Sequence, residues 1–117
     1  MGNVYYTNHL KWQGRCRELF LREHAPEVMS ELGGNLSLAT VSCSCEYFAE
    51  LMTFDEVVVK MRLAELVQNR MRLTFELWRG EELVARGEQQ IACMGRVGGK
   101  PMPVPLSLRT ALAAYSE

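Results

Sequence analysis

Three polar residues at intervals of four, His9, Gln13 and Arg17, are the first candidates for chemistry in this sequence of 117 residues. At the pitch of an α-helix they project from one side. An imidazole able to titrate near neutral pH, an amide and a permanent cation therefore stand in one line. Such a polar line on a helix that otherwise presents an apolar surface needs an explanation. Read on type alone, Arg17 is first an ion-pair residue facing a carboxylate such as Glu18 of a partner. His9 is equally a hydrogen-bonded helix residue at a contact between two copies of the chain. Glu46 and Glu50 are carboxylates able to serve as general bases, against which stands a simple pairing of Glu46 with Arg62 or Arg72. Cysteines at positions 16, 43, 45 and 93 lack the C-x-x-C spacing of a structural zinc site. No metal site is expected. Cys43 and Cys45, two apart, read as small buried hydrophobes on one face of a strand.

The elements that must position these residues follow from periodicity. Asn3 is placed to cap a helix that carries Tyr6, Leu10, Trp12, Cys16, Leu19 and Phe20 as an apolar surface at spacings of three and four. Pro26 ends or kinks it near Ala25 and suits the first turn of a second segment, Glu27 to Leu32. Gly33-Gly34 then offers the left-handed conformation that closes a helix. Four period-two stretches come next, Leu36–Phe48, Glu56–Leu66, Arg70–Trp78 and Leu83–Met94. In the first, Ala39, Val41, Cys43, Cys45 and Tyr47 alternate. In the second, Val57, Val59, Met61 and Leu63 oppose Lys60 and Arg62, and in the third, Met71, Leu73, Phe75 and Leu77 oppose Arg70, Arg72, Thr74 and Glu76. Arg79-Gly80-Glu81-Glu82 predicts a tight turn and a hairpin. Gly87 inside the last strand predicts a bulge or a close backbone approach. Prolines and glycines make 95–105 a loop, and Leu106–Tyr115 predicts a terminal helix with Ser107 as its cap.

A long helix followed by an antiparallel meander is an α+β domain, with the sheet wrapped around the helix. Residues 1–117 suffice for a single domain with one core. Long strand edges left open call for a further strand or for a second copy of the chain. Apolar residues at 48% and charged residues at 23% belong to a globular protein, not a disordered one. A net charge of −1 supplies no general attraction to nucleic acid or an anionic membrane, so neither is an expected partner. No signal peptide or long apolar run is present, and free thiols in a cytoplasmic setting are expected.

Particular strings add a resemblance. Gly2-Asn3-Val4-Tyr5-Tyr6 with Asn8, Leu10, Trp12 and Glu18 resembles the opening of the central helix in hotdog-fold acyl thioesterases of the 4-hydroxybenzoyl-CoA thioesterase type. Trp12-Gln13-Gly14-Arg15-Cys16-Arg17-Glu18, Ser44-Cys45-Glu46-Tyr47-Phe48-Ala49-Glu50 and Phe54-Asp55-Glu56-Val57 look like the thioesterases of enediyne polyketide biosynthesis. The likeness runs from Gly2 to about Met94. It implies a hotdog domain that forms a homodimer or homotetramer with active sites at the dimer interface. It implies hydrolysis of a polyene β-keto acyl thioester on the acyl carrier protein domain of an iterative polyketide synthase, without metal or organic cofactor. The runner-up readings are a general acyl-CoA thioesterase and a non-catalytic acyl-binding or scaffold protein.

As the resemblance implies, Arg17 polarises the thioester carbonyl, assisted by the residue matching a helix tyrosine, which is His9 in this sequence. Asn3 joins the catalytic group, and the backbone N–H groups of Asn3, Val4 and Tyr5 face the carbonyl. Tyr47, Phe48, Leu51 and Phe54 are substrate-binding candidates at the mouth of an acyl channel, with Met52 beside them. Lys60, Arg62, Arg70 and Arg72 form a solvated strand face or, alternatively, a docking patch for an acidic carrier protein. The resemblance also implies a first strand and an asparagine-bearing loop ahead of Gly2. Their absence from the sequence leads to the expectation of an N-terminally short domain with impaired activity, or of a start set downstream of the true one.

Overall fold

Pro26 divides the helical half of the chain. In the structure, a computed structural model that describes residues 6–52 and 54–116, the first five of them by backbone alone, α1 spans Tyr6–His24 and α2 spans Pro26–Leu32. The proline occupies the first turn of α2, where its missing N–H has no intrahelical partner to lose. The second helix does not close in the expected left-handed conformation. Gly33 stays right-handed at φ −75°, and its N–H bonds back to the carbonyls of Met29 and Ser30. The proposed cap Asn3 lies outside the described residues, as do Val4 and Tyr5.

Strands β1 (Leu36–Tyr47), β2 (Val58–Val67), β3 (Arg70–Arg79) and β4 (Glu82–Gly95) form an antiparallel sheet in the order β1-β4-β3-β2. The predicted hairpin turns at Gly80, whose φ of +60° is open to glycine at little cost. A second reversal passes through Gln68 at φ 55°. Val59, Met61 and Leu63 pair with Leu77, Phe75 and Leu73, so one apolar face runs across both strands. Phe75, Leu77, Val84, Ile91 and Cys93 are fully buried there, and Leu21 and Val28 of the helical layer join the same core. Helix α1 packs on this face and reaches β1, β2 and β4.

The alternation read for β1 is corrected by a register shift between Thr40 and Ser42. Ala39 pairs with Ala92, whereas Cys43, Cys45 and Tyr47 pair with Gln89, Gly87 and Ala85 on the helix-facing side. An extra residue at Val41 therefore moves the strand out of phase with a simple period of two. The expectation that Cys43 and Cys45 are buried also fails: Cys43 is exposed and Cys45 half-buried, because β1 is an outer strand of the sheet.

At the other end of the chain, α3 spans Leu106–Ala113 and buries Leu108 and Leu112. Its cap position is Pro105, not Ser107, which lies inside the first turn with a buried Oγ that has no partner among the described residues. The loop before it folds back on β4, where the Gly95 N–H donates to the Lys100 carbonyl at 2.7 Å.

Candidate active site

The polar line on α1 meets the sheet at β4. Gln13 is 0% exposed, and its Nε2 donates to the Ser44 carbonyl at 3.5 Å. The amide occupies the space above Gly87, where a Cβ would lie 1.8 Å from Nε2. This is the close approach that Gly87 predicted, with a side chain instead of a backbone as the neighbour. The ladders on both sides of Gly87 run without a shift, so no bulge is present at that residue.

One helical turn later Arg17 reaches the same strand. Its Nη1 donates to Oε1 of Gln89 at 2.9 Å. Four residues on a helix advance about 6 Å, and two residues on a strand advance about 6.8 Å. Gln13 over Gly87 and Arg17 on Gln89 are therefore matched steps of two elements running in the same direction. Burial pulls the Arg17 guanidinium below its ordinary value, and the neighbouring Glu18 carboxylate acts in the opposite sense. No carboxylate pairs with Arg17 among the described residues. Arg17 also lines a cavity of about 360 Å³ between α1, α2 and β1, with Leu21, Met29, Leu32 and Leu38 in its walls and Glu18, Arg22 and Arg96 as its other charged members. A half-buried cation held against a neutral amide at the wall of a cavity can stabilise developing negative charge on a carbonyl oxygen.

Gln89, 5% exposed, is the member of this arrangement that sequence reading left unassigned. Its signal was phase: it falls in step with Ala85, Gly87, Ile91 and Cys93, a polar residue on an otherwise closed face. Of the other candidates, His9 belongs to the backbone of α1, and Asn3, Val4 and Tyr5 lie outside the described residues. Glu46 pairs in register with Arg86 on the face away from α1. It is therefore not placed to act beside Arg17, nor does it pair with Arg62 or Arg72 among the described residues. Glu50 contributes its backbone carbonyl to Arg79 at 2.9 Å.

The four apolar candidates divide. Tyr47 and Phe48 are 44% and 52% exposed, Leu51 is 2% exposed within the core, and Phe54 is 96% exposed. Tyr47 pairs with Ala85 and Cys43 with Gln89, which sets Tyr47 about 13 Å along the strand from the anchor of Arg17. The segment 48–57 that carries the other three is held by an ion cluster. Arg79 donates to Asp55 at 2.8 Å and to Glu82 at 2.6 Å, and Asp55 also accepts the Met52 N–H at 2.7 Å. These bonds hold the Asp55 carboxyl below its usual range, the Met52 N–H first and Arg79 second. Next to this segment lies a cavity of about 430 Å³ bounded by Trp12, Cys16, Leu19, Val57 and Val59, with Arg15 and Asp55 as its charged members. Sequence reading placed Leu19 in the buried stripe, but it is 41% exposed along this cavity.

On the outer face of the sheet the basic residues are mixed with acids. Arg72 pairs with Glu88 at 3.4 Å and Glu65 at 3.9 Å, Arg86 with Glu76 at 3.6 Å, and Lys60 stands 5.2 Å from the centre of the Trp78 ring. Among the described residues no group of three or more His, Cys, Asp and Glu is placed to hold a metal ion. No described helix is long and apolar enough to cross a membrane.

Comparison with known proteins gives this geometry its context. The family model of the thioesterase-like superfamily matches residues 1–112. The dynemicin thioesterase, whose crystal structures revealed induced-fit and allosteric effects upon polyene binding, is 45% identical, with 99% of this chain and 86% of that chain covered and a TM-score of 0.95. A Pseudomonas aeruginosa protein is 24% identical over 99% of this chain and 81% of its own, with a TM-score of 0.91. A 1,4-dihydroxy-2-naphthoyl-CoA thioesterase from Synechocystis is 23% identical over 96% and 84%, with a TM-score of 0.84. At these identities the last two establish the fold alone, a hotdog arrangement of helix and antiparallel sheet. None of the curated proteins compared matches the chain.

Proposed function

The chain belongs to the thioesterase-like superfamily and is an acyl thioester hydrolase; we propose that its substrate is a polyene β-keto acyl chain carried on the acyl carrier protein domain of an iterative enediyne polyketide synthase. The observation that carries this reading is the 45% identity with the dynemicin thioesterase over 99% of the chain. The environment of Arg17 supports it. In the proposed reaction the guanidinium polarises the thioester carbonyl, aided by the His9 side chain and by the backbone N–H groups of Asn3, Val4 and Tyr5. Water adds to the carbonyl carbon, the oxyanion forms against Arg17, and collapse breaks the C–S bond. The carrier thiolate leaves with the electron pair, takes up a proton, and the acyl chain departs as its carboxylic acid. A thiolate is a good leaving group, so no strong general acid is required.

Assembly belongs to the same proposal. The outer edge of β1 carries Val41 at 46% exposure and ends in the exposed Tyr47, with the exposed Phe48 next in the chain, which suits pairing with a second copy in a homodimer or homotetramer. Hydrolysis of a carrier-protein thioester and of simple acyl-CoAs by purified protein, parent against Arg17→Ala, tests the reading. Expected is preference for the carrier-bound thioester and a loss in kcat of about a hundredfold or more in the variant. Equal rates for parent and variant would refute the role of Arg17. Faster cleavage of free acyl-CoAs would transfer the assignment to a general acyl-CoA thioesterase.

A further inference from the structure

The partner that holds Arg17 is an amide where charge pairing alone would favour a carboxylate. Gln89 offers one accepting oxygen at 2.9 Å from Nη1, and it does so from a strand position that is 5% exposed, two residues beyond the glycine that receives Gln13. A glutamate there would reach the same guanidinium, take up to two of its donors in a bidentate pair and cancel its charge. The amide accepts one hydrogen bond and leaves the positive charge whole. In a half-buried setting that charge acts on a neighbouring carbonyl with less screening than in water. The lever arm is short as well. The backbone of Gln89 is fixed on both sides by the β4 ladder, to Leu73 in β3 and to Cys43 in β1, and burial to 5% exposure limits the room in which its side chain can turn.

We propose that Gln89 is a positioning residue for Arg17: its side-chain oxygen aims the guanidinium, and its neutrality keeps the cation available to the oxyanion. This rests on the reading of Arg17 as the carbonyl-polarising group. The two properties are separable by substitution. Gln89→Glu keeps the acceptor and adds the neutralising charge, whereas Gln89→Met keeps the length and the neutrality and removes the acceptor.

The test is steady-state hydrolysis of a medium-chain acyl carrier protein thioester, followed by release of the carrier thiol, with thermal unfolding of every variant at one protein concentration. Gln89→Glu is expected to lose about tenfold to a hundredfold in kcat with KM within about twofold of the parent and an unfolding temperature no lower than the parent's. A residue that only supports the fold would not show this split, because its loss of rate would follow its loss of stability. In an Arg17→Ala background the same change is expected to cost nothing further. Gln89→Met is expected to lower kcat about tenfold by releasing the guanidinium, and it decides the matter if the glutamate variant does not fold. Parent-like kcat in both folded Gln89 variants, with Arg17→Ala still slowed about a hundredfold or more, would overturn the role of Gln89 and leave that of Arg17 standing. Parent-like kcat in Arg17→Ala would overturn both.

Discussion

Gly87→Ala puts the helix–sheet contact to a quantitative test. The new Cβ would lie 1.8 Å from Nε2 of Gln13, 2.5 Å from its Cδ and 3.0 Å from its Oε1. A flexible side chain on the surface would swing aside. Gln13 is 0% exposed, so its amide has no solvent direction in which to turn. Relief must come from a lift of α1 or from a strained rotamer, and overpacking of this kind costs about 1–3 kcal/mol. Unfolding entropy near 60 °C is about 2.1 cal/mol/K per residue. Over 117 residues that makes about 0.25 kcal/mol/K, or about 4 °C in Tm for each kcal/mol. The expected fall is therefore about 4–12 °C, read by thermal unfolding at a fixed protein concentration, since an oligomer's Tm depends on it. Gln13→Ala removes the obstacle, so the double variant should recover most of the loss caused by Gly87→Ala, with a coupling of about 1 kcal/mol or more in a double-mutant cycle. Arg17 is one turn from the clash, and a shift of the helix by about 1 Å is enough to cost a hundredfold in rate. Gly87→Ala should thus lose activity beyond its loss of folded protein. Strict additivity in the cycle, or a single variant with the parent Tm, would refute the packing that sets Gln13 over Gly87.

Two further outcomes follow from charge and burial. Asp55 is held below 3.8 in the folded chain, so its contribution to stability is present above pH 3.8 and disappears as the pH falls through the lowered folded value. Asp55→Asn should therefore destabilise the protein at neutral pH and flatten its acid unfolding curve below pH 3.8; an acid limb identical to the parent's would contradict the Arg79–Asp55 pairing. Alkylation by iodoacetamide at pH 8, followed by mass spectrometry, should modify the exposed Cys43 first, while Cys93, fully buried and pushed up to about 11 by that burial, reacts only on unfolding.

The elements that were legible in the sequence are those whose burial repeats. Val59, Met61 and Leu63 announce their face because β2 is covered on one side by the core and open on the other, and Met71, Leu73, Phe75 and Leu77 do the same in β3. The first strand misled for a local reason, since the extra residue at Val41 breaks the period without any glycine or proline to mark it. Cysteines 43 and 45 misled because residue type reports average burial, whereas their exposure is set by the place of β1 in the sheet order. That Arg17 shares the sheet-facing side of α1 with Gln13 was legible from their spacing of four. The partner of Arg17 was not, because the two residues are 72 positions apart, and only the register of α1 on β4 brings them together. The clamp of Arg79 on Asp55 escaped for the same reason, at a separation of 24.

A polar layer between a helix and a sheet costs stability unless its members are satisfied, and this one is satisfied unevenly. Gln13 donates to Ser44, but its Oε1 has no partner among the described residues, an omission that ordinarily costs about 1–3 kcal/mol. Leucine at position 13 would remove that cost, and alanine at 87 would remove the backbone freedom of a glycine in a strand. Both changes would press on the same space, which holds either the amide over Gly87 or an added methyl, not both. The pair makes sense as a spacer. With Gly87 beneath it, α1 comes close enough for Arg17, one turn on, to reach Gln89 with a single direct hydrogen bond. A bulkier residue beneath Gln13 would hold the helix further from β4 and leave the guanidinium to find its orientation in solvent. The stability given up at position 13 is therefore tied to the precision gained at position 17.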